Sequence, residues 1–275
     1  MRNERTRWQP REVVRFIRNF DSGAGTVEVK TDAGRAYLKG MGNHSGPHVL
    51  ACEWVGTQLA EWLGLEVFDY ALVTVTDADE LPLYRGGFIE PGLAFVTRGE
   101  RGQSWGGKPP QLKRVANRDD ITRLVVLDTW TRNCDRFSSD GQRVNRDNVF
   151  LSEEAPAGKF VLKAMDHTHC FTCGRDLTAR MAQIAVVKDD GIYGRFPEFE
   201  PFLDRTVFRK ARGKLKSLQR AFVSKVVETI PDEWDVSSTA RTALIDFIVG
   251  RAAYLVDKME RRLWPQGELN FGEEE

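Results

Sequence analysis

Three oxygen-bearing side chains set the chemical question. Asp135 lies in a polar loop, Asn148 opens the apolar run Val149-Phe150-Leu151, and Asp166 closes a second apolar run, Phe160-Val161-Leu162. Two short β-type runs separated by a polar turn predict a hairpin. That hairpin places Asn148 at its start and Asp166 at its exit, near each other in space. A loop carboxylate beside an Asn/Asp pair suits phosphoryl transfer. One carboxylate orients an acceptor hydroxyl, and two oxygen ligands hold Mg²⁺ on the phosphates of ATP.

The stretch 127–171 carries Trp130, Asn133, Asp135-Arg136, Asn148 and Asp166-His167 in that order. It resembles the catalytic loop, hairpin and metal-binding Asp of the protein-kinase-like superfamily, and within it the HipA-like kinases. One feature departs from the pattern. Ordinary protein kinases place the loop Asp and the metal Asn in H-R-D-x-x-x-x-N, whereas here Ser138 to Arg146 intervene. Such an insertion is tolerated if it bulges to solvent. It leaves Asn145 and Asp147 as rivals to Asn148.

The elements that must position these groups follow from the pattern upstream. Val13–Phe20, Thr26–Val29 and Arg35–Lys39 read as three strands of a meander, joined by turns at 21–25 and 32–34. The resemblance implies that the first turn covers the ATP phosphates and that the third strand carries a Lys reaching them. Ser22, Gly23 and Gly25 are the residues placed for the first role, since small residues let backbone N–H groups approach phosphate; Lys39 is placed for the second. A helix is expected from His48 to Leu63, with Val49, Cys52, Val55, Leu59 and Leu63 on one face and Gly64 as its stop. The segment 38–65 also resembles HipA-like kinases, which makes Glu53 the expected partner of Lys39. Taken alone, a Gly turn, a strand-end Lys and a helical Glu are commonest as plain surface features; it is their order that argues for a site.

Phe68–Val75 and Leu83–Ile89 read as the fourth and fifth strands. Glu90-Pro91-Gly92 then falls where the resemblance puts the adenine-binding hinge, so Glu90 and Gly92 are expected there by position. The Gly/Arg/Pro-rich loop 98–110 is the clearest candidate for a lobe linker or a lid. Asn117 and Asp120 open a helix that delivers the chain to Asp135. Asn133 is read as a loop-stabilising hydrogen bonder, and Arg136 as a support for Asp135 or a phosphate contact. His167 to Cys173 would be the activation segment, with Thr168, Thr172 and Thr178 as candidate phosphorylation sites by location. Cys170-x-x-Cys173 beside two histidines invites a zinc reading, but structural zinc usually needs two close ligand pairs. Long helices are expected over 206–230 and from Ser237 or Ser238 to Trp264, the first strongly basic, which most often means a solvated face.

The chain has 275 residues, 41% of them hydrophobic and 29% charged, which suits one large domain or two small lobes. Its formal charge of zero removes any global attraction to nucleic acid or anionic membrane. No apolar run approaches membrane-spanning length. The N-terminal MRNERTRWQPRE lacks the apolar core of a secretory signal. Four cysteines suggest no disulfide scaffold, so a cytoplasmic location is expected. The expected fold is a bilobal α+β protein-kinase-like domain: an antiparallel-sheet N-lobe with one helix over 1–97, and a mostly helical C-lobe over 98–275. The expected activity is transfer of the γ-phosphoryl group of ATP, with Mg²⁺, to a Ser or Thr hydroxyl of a protein. Asp135, Lys39 and Glu53 would be catalytic, and Asn148 and Asp166 would hold metal. A small-molecule or lipid kinase, a nucleotide-binding pseudokinase and a metal-binding module on the His/Cys segment are the alternatives. Full-length HipA toxins carry a further N-terminal domain, so the resemblance implies no toxin role here.

Overall fold

In the computed structural model, which describes residues 8–265, an antiparallel sheet is followed by a helical region. The first strands are β1 (Val13–Asn19), β2 (Val27–Thr31) and β3 (Gly34–Lys39), then helix α1 (His48–Leu63), β4 (Tyr70–Val75) and β5 (Gly92–Arg98). These five strands form one sheet in the order β1-β2-β3-β5-β4. Its two faces follow the period-two rule. Val27, Val29, Ala36, Leu38, Val73, Val75, Ala94 and Val96 pack together on one face. Tyr37, Lys39, Phe95 and Thr97 point to the other, facing a cavity.

The segment Leu83–Ile89 corrects the strand expectation. It is a turn rather than the fifth strand, with one isolated bridge, Pro82 to Phe88. Gly86 and Gly87 both take left-handed φ, and Leu83 N–H donates to Gly87 O at 3.0 Å. Leu83 and Ile89 bury themselves against the outer face of the sheet. Their apolar spacing therefore reflects packing on a sheet, not pairing within it. The true fifth strand, β5, begins at Gly92 and lies between β3 and β4.

The α1 boundaries match the sequence reading. Gly64 sits at φ 97, and its N–H closes the helix on Ala60 O and Glu61 O. After β5 come β6 (Gly102–Ser104), the short α2 (Pro109–Leu112) and α3 (Asp119–Thr131). Asn117 does not cap α3 with its side chain. It bridges Asp120 and the backbone of Leu162, tying the helix start to the hairpin. That hairpin is β7 (Val149–Ser152) and β8 (Val161–Ala164), with β6 added at its edge.

The short α4 (Ile184–Val187) precedes α5 (Arg205–Lys216), α6 (Arg220–Glu228) and α7 (Ser238–Leu263). The helix expected over 206–230 is thus two. At the break the Ser217 hydroxyl turns back to Lys214 O at 2.9 Å, offering the backbone an alternative to helix continuation. The core of this region unites α1 with α3, α5, α6 and α7, around Trp130, Phe208 and Phe247. Among the described residues no helix is long and apolar enough to cross a membrane. The basic start of the chain (1–7) and the acidic end (266–275) lie outside the described residues.

Candidate active site

Period two on β3 turns Lys39 into the space between sheet and helices, while its neighbour Leu38 is buried behind. Glu53, in the second turn of α1, meets it. Lys39 Nζ lies 2.8 Å from Glu53 Oε2 and 3.2 Å from Asp166 Oδ1. Glu53 Oε2 also accepts from the backbone N–H of His167 at 3.1 Å. Asp166 follows β8 with φ at 61, a left-handed conformation in which Asp is better tolerated than most residues. Close approach of α1 is required here. A Cβ on Gly56 would stand 2.6 Å from His167 Cβ.

One ammonium thus stands between the buried Glu53 carboxylate and the half-buried Asp166 carboxylate. Burial works against the Lys39 charge, but Asp166 and Glu53 outweigh it and hold its pKa above the usual lysine value. Burial likewise opposes ionisation of Asp166; Lys39 and the Thr168 hydroxyl, 2.5 Å away, overcome it and hold the carboxyl well below its usual range. Glu53 goes the other way. Its burial, and the negative Asp166 nearby, raise its pKa despite Lys39. These directions are consistent, because a single cation compensates the second carboxylate less fully than the first. Thr168, a candidate phosphorylation site by location, is buried and engaged with Asp166.

The trio forms the polar end of a cavity of about 340 Å³. Its walls are apolar, from Phe20, Tyr37 and Phe95 on the sheet side, Val67 and Phe68 after α1, and Phe150 and Met165 from the hairpin. Thr97 and Glu100 line it where the chain leaves β5. Of the three residues expected in the first turn, the structure brings Ser22 to the cavity. Its hydroxyl accepts from Thr26 N–H at 2.9 Å. Gly25 instead faces away, where a Cβ would stand 2.8 Å from Leu83, and Gly23 abuts Ser45.

Glu90 and Gly92 do not line this cavity. Glu90 is exposed and outside the cavity, and Gly92 packs against Glu233, whose carboxylate accepts from Leu93 N–H at 2.6 Å. The reason is the misplaced fifth strand: once β5 is Gly92–Arg98, the turn at its far end, 98–101, reaches the cavity. Glu100 there is buried against Lys163 and accepts from the Ser152 hydroxyl at 2.8 Å. The sequence signal for this was available in Gly86-Gly87, which interrupts the run 83–89.

Asp135 lies beyond the cavity wall, just past α3. Its Oδ2 accepts from Asn148 Nδ2 at 2.9 Å and Asn145 Nδ2 at 3.2 Å. Asn133 receives the Asp135 N–H, at 3.3 Å, as a loop stabiliser should. The insertion 138–144 closes on itself, with Ser138 N–H donating to Arg143 O at 3.0 Å and Phe137 bridging Val144. The chain rejoins the loop when Asn145 N–H reaches Arg136 O at 2.8 Å. Among the three rivals, Asn148 is buried and its carbonyl accepts from Met165 N–H beside Asp166; Asp147 is exposed.

Sequence reasoning undervalued Arg136. It is fully buried and does not line this cavity. Its guanidinium pairs with Asp128, and donates to Asn148 O at 3.1 Å and Met165 O at 2.7 Å. It therefore fixes the backbone beside both Asn148 and Asp166. Burial pushes the Asp128 carboxyl up to about 6 even against Arg136. His167 is buried with neither ring nitrogen hydrogen-bonded, and burial lowers its pKa to about 3, so the ring is neutral.

The likeness to known proteins can be set against this geometry. The family described as HipA-like kinase matches residues 13–266. The chain belongs to the HipA-like kinase family. Its fold is also that of a solved kinase, the Helicobacter pylori proinflammatory kinase CtkA, at a TM-score of 0.59 and 11% identity over 93% of this chain and 97% of that one. A structure of WaaP in complex with acyl carrier protein matches more loosely, at a TM-score of 0.36 and 15% identity over 79% of this chain and 87% of the other. No curated protein matches the sequence. The bilobal kinase-like fold is thus established, and family membership makes the protein a kinase.

Proposed function

We propose that this kinase transfers the γ-phosphoryl group of ATP to a Ser or Thr hydroxyl of a protein, with Mg²⁺. The observation that carries the reading is the Lys39–Glu53–Asp166 trio at the polar end of an otherwise apolar cavity. The apolar walls suit a purine ring. The turn 98–101 takes the place of the hinge, with Glu100 and Thr97 beside the base. Ser22 lies on the phosphate side.

The donor set fits Mg²⁺. Asp166 spends Oδ1 on Lys39 and Thr168, and Asn148 spends Nδ2 on Asp135, which leaves Asp166 Oδ2 and Asn148 Oδ1 as hard oxygen ligands. Bound there, the ion would neutralise charge on the phosphates. Lys39, held by Glu53, reaches the phosphate oxygens and offsets their charge. Asp135 accepts the hydroxyl hydrogen of the acceptor, orients its oxygen for in-line attack and takes up the proton. The Asn148 and Asn145 amides keep its carboxylate pointed. Arg136 holds the two ligand-bearing backbones in register. The chain supplies positioning and electrostatics, which is most of what phosphoryl transfer needs. The lobe boundary near 97/98 and a cytoplasmic location, in keeping with four free thiols, belong to the same reading.

The test is transfer from γ-labelled ATP, first to the protein itself and then to a protein pool, with phosphoamino-acid analysis of the product. Label on Ser or Thr, lost in Asp135→Ala and Asp166→Asn proteins that still fold, supports the reading. Label appearing only in lipid or small molecules overturns the acceptor; no ATP binding at all overturns the site.

A further inference from the structure

The His/Cys segment after Asp166 holds one group that the mechanism above does not use. Its cysteines turn apart. The Cys170 thiol is buried and 3.4 Å from Thr131 Oγ1, and the Cys173 thiol donates to Arg132 O at 3.6 Å. Among the described residues no group of three or more His, Cys, Asp or Glu stands together to hold a metal ion. His169 is the remaining group. Its ring is partly exposed, and its Nδ1 lies 3.2 Å from Thr168 Oγ1 and 3.9 Å from Asp135 Oδ2. The second distance is beyond a hydrogen bond but short enough for charge attraction. One ring nitrogen thus sits between the proposed base and the hydroxyl that holds Asp166.

Donor counting fixes the direction of these contacts. An ionised carboxylate only accepts, so the single Thr168 hydroxyl hydrogen is donated to Asp166 Oδ1, 2.5 Å away. The hydroxyl has no second hydrogen for His169. It can only accept there, so His169 Nδ1 carries a hydrogen and donates it to Thr168 Oγ1. The same N–H turns its positive end toward Asp135 Oδ2. The backbone holds the ring in this pose. Cys173 N–H donates to His169 O at 3.1 Å. The opposite edge of the ring lies on Gly174, where a Cβ would stand 2.6 Å from His169 Cδ2. Gly174 also takes a left-handed φ of 79, so glycine meets both demands at that position.

We infer that His169 is a positioning residue for the phosphoryl transfer proposed above, on which its role rests: its Nδ1–H steadies Asp166 through Thr168 and attracts the Asp135 carboxylate, keeping the acceptor side in register with the metal side. Asp166 has two oxygens, and rotation about its Cβ–Cγ bond would exchange them. Lys39 and Thr168 both hold Oδ1, which leaves Oδ2 for the metal. A hydroxyl that accepts from His169 is a stronger donor to Asp166, because chained hydrogen bonds polarise one another. On the other side, Asp135 Oδ2 accepts from Asn148 and Asn145, and Arg143 lies 3.8 Å from Oδ1. His169 joins that cluster to Asp166 by a route separate from Asn148.

Paired substitutions separate a donor from a space-filler. An Asn amide can place an N–H where Nδ1–H stands, whereas a Gln amide reaches toward the Nε2 position. In transfer from labelled ATP, His169→Gln should lower kcat roughly tenfold or more. KM for ATP should change little, because His169 does not line the nucleotide cavity. His169→Asn should recover most of the loss. Thr168→Val should behave as His169→Gln does, and Thr168→Ser should stay close to the wild type. A second readout needs no activity. Long-range nitrogen–proton NMR spectra of the full-length wild type report which ring nitrogen carries hydrogen, with His169→Gln identifying the signal among four histidines. Hydrogen on Nδ1 is expected, and a bare Nδ1 overturns the relay. Equal losses in His169→Asn and His169→Gln, a loss confined to KM, or full transfer by His169→Gln overturns the positioning role. A wild type that transfers nothing indicts the kinase reading instead, while the NMR spectra still judge the hydrogen-bond chain.

Discussion

Two largely buried cations in this molecule look alike on paper and differ in what surrounds them. Arg136 is fully buried, and its fork is consumed by Asp128 and two backbone carbonyls. Lys39 is also held by protein oxygens, but it faces a cavity, and its partner Asp166 keeps one oxygen uncommitted. The first is a wall and the second a socket. A saturated buried charge fixes backbone; a buried charge at the end of an apolar cavity, with acceptor capacity left over, is kept for a ligand. Burial alone does not separate them. The count of unused donors and acceptors does.

The contrast makes graded predictions. The largest effect on stability is expected for Arg136→Leu. It leaves Asp128 buried without its cation and frees two carbonyls, a loss of about 3–5 kcal/mol in urea unfolding. A loss under about 1 kcal/mol would erase the distinction. Lys39→Met should reverse the balance. Stability falls by only about 1–3 kcal/mol, because both carboxylates can take up protons, while transfer falls by roughly a hundredfold or more. Glu53→Gln is gentler still. Its carboxyl is already the harder of the two to ionise, so unfolding should change little, and transfer should drop by roughly tenfold as Lys39 loses its orientation.

How much of this was legible beforehand differs by region in the same way. The trio could be read because its chemistry sits at element ends: a Lys closing β3, a Glu one turn into α1, an Asp leaving β8. Helix α1 was placed to the residue because a helical stripe and a terminal glycine agree. The wall was not legible. Nothing in the string Asp-Arg says that the Arg turns inward to gather carbonyls from 148 and 165, since those contacts span the fold. The run 83–89 was misjudged for a related reason. Leu83 and Ile89 alternate as a strand would, and only the finished sheet shows that they cover its outer face.

That correction gives the smallest predicted effect. Glu90→Ala should leave ATP affinity within about twofold, because the residue stands outside the cavity. Thr97→Phe, which fills the cavity end of β5, should weaken ATP binding by roughly tenfold or more. Equal effects from the two would return the hinge to 90–92. Calorimetry with ATP settles it.

The most direct test of the account is ATP binding by calorimetry, with and without Mg²⁺, to the wild type and to Asp166→Asn. The account predicts that Mg²⁺ tightens binding to the wild type and leaves the Asn protein unchanged, with both unfolding at similar urea concentration. Equal tightening of both proteins by Mg²⁺ would contradict it, because Asp166 would then not be a ligand and the trio would be only another wall.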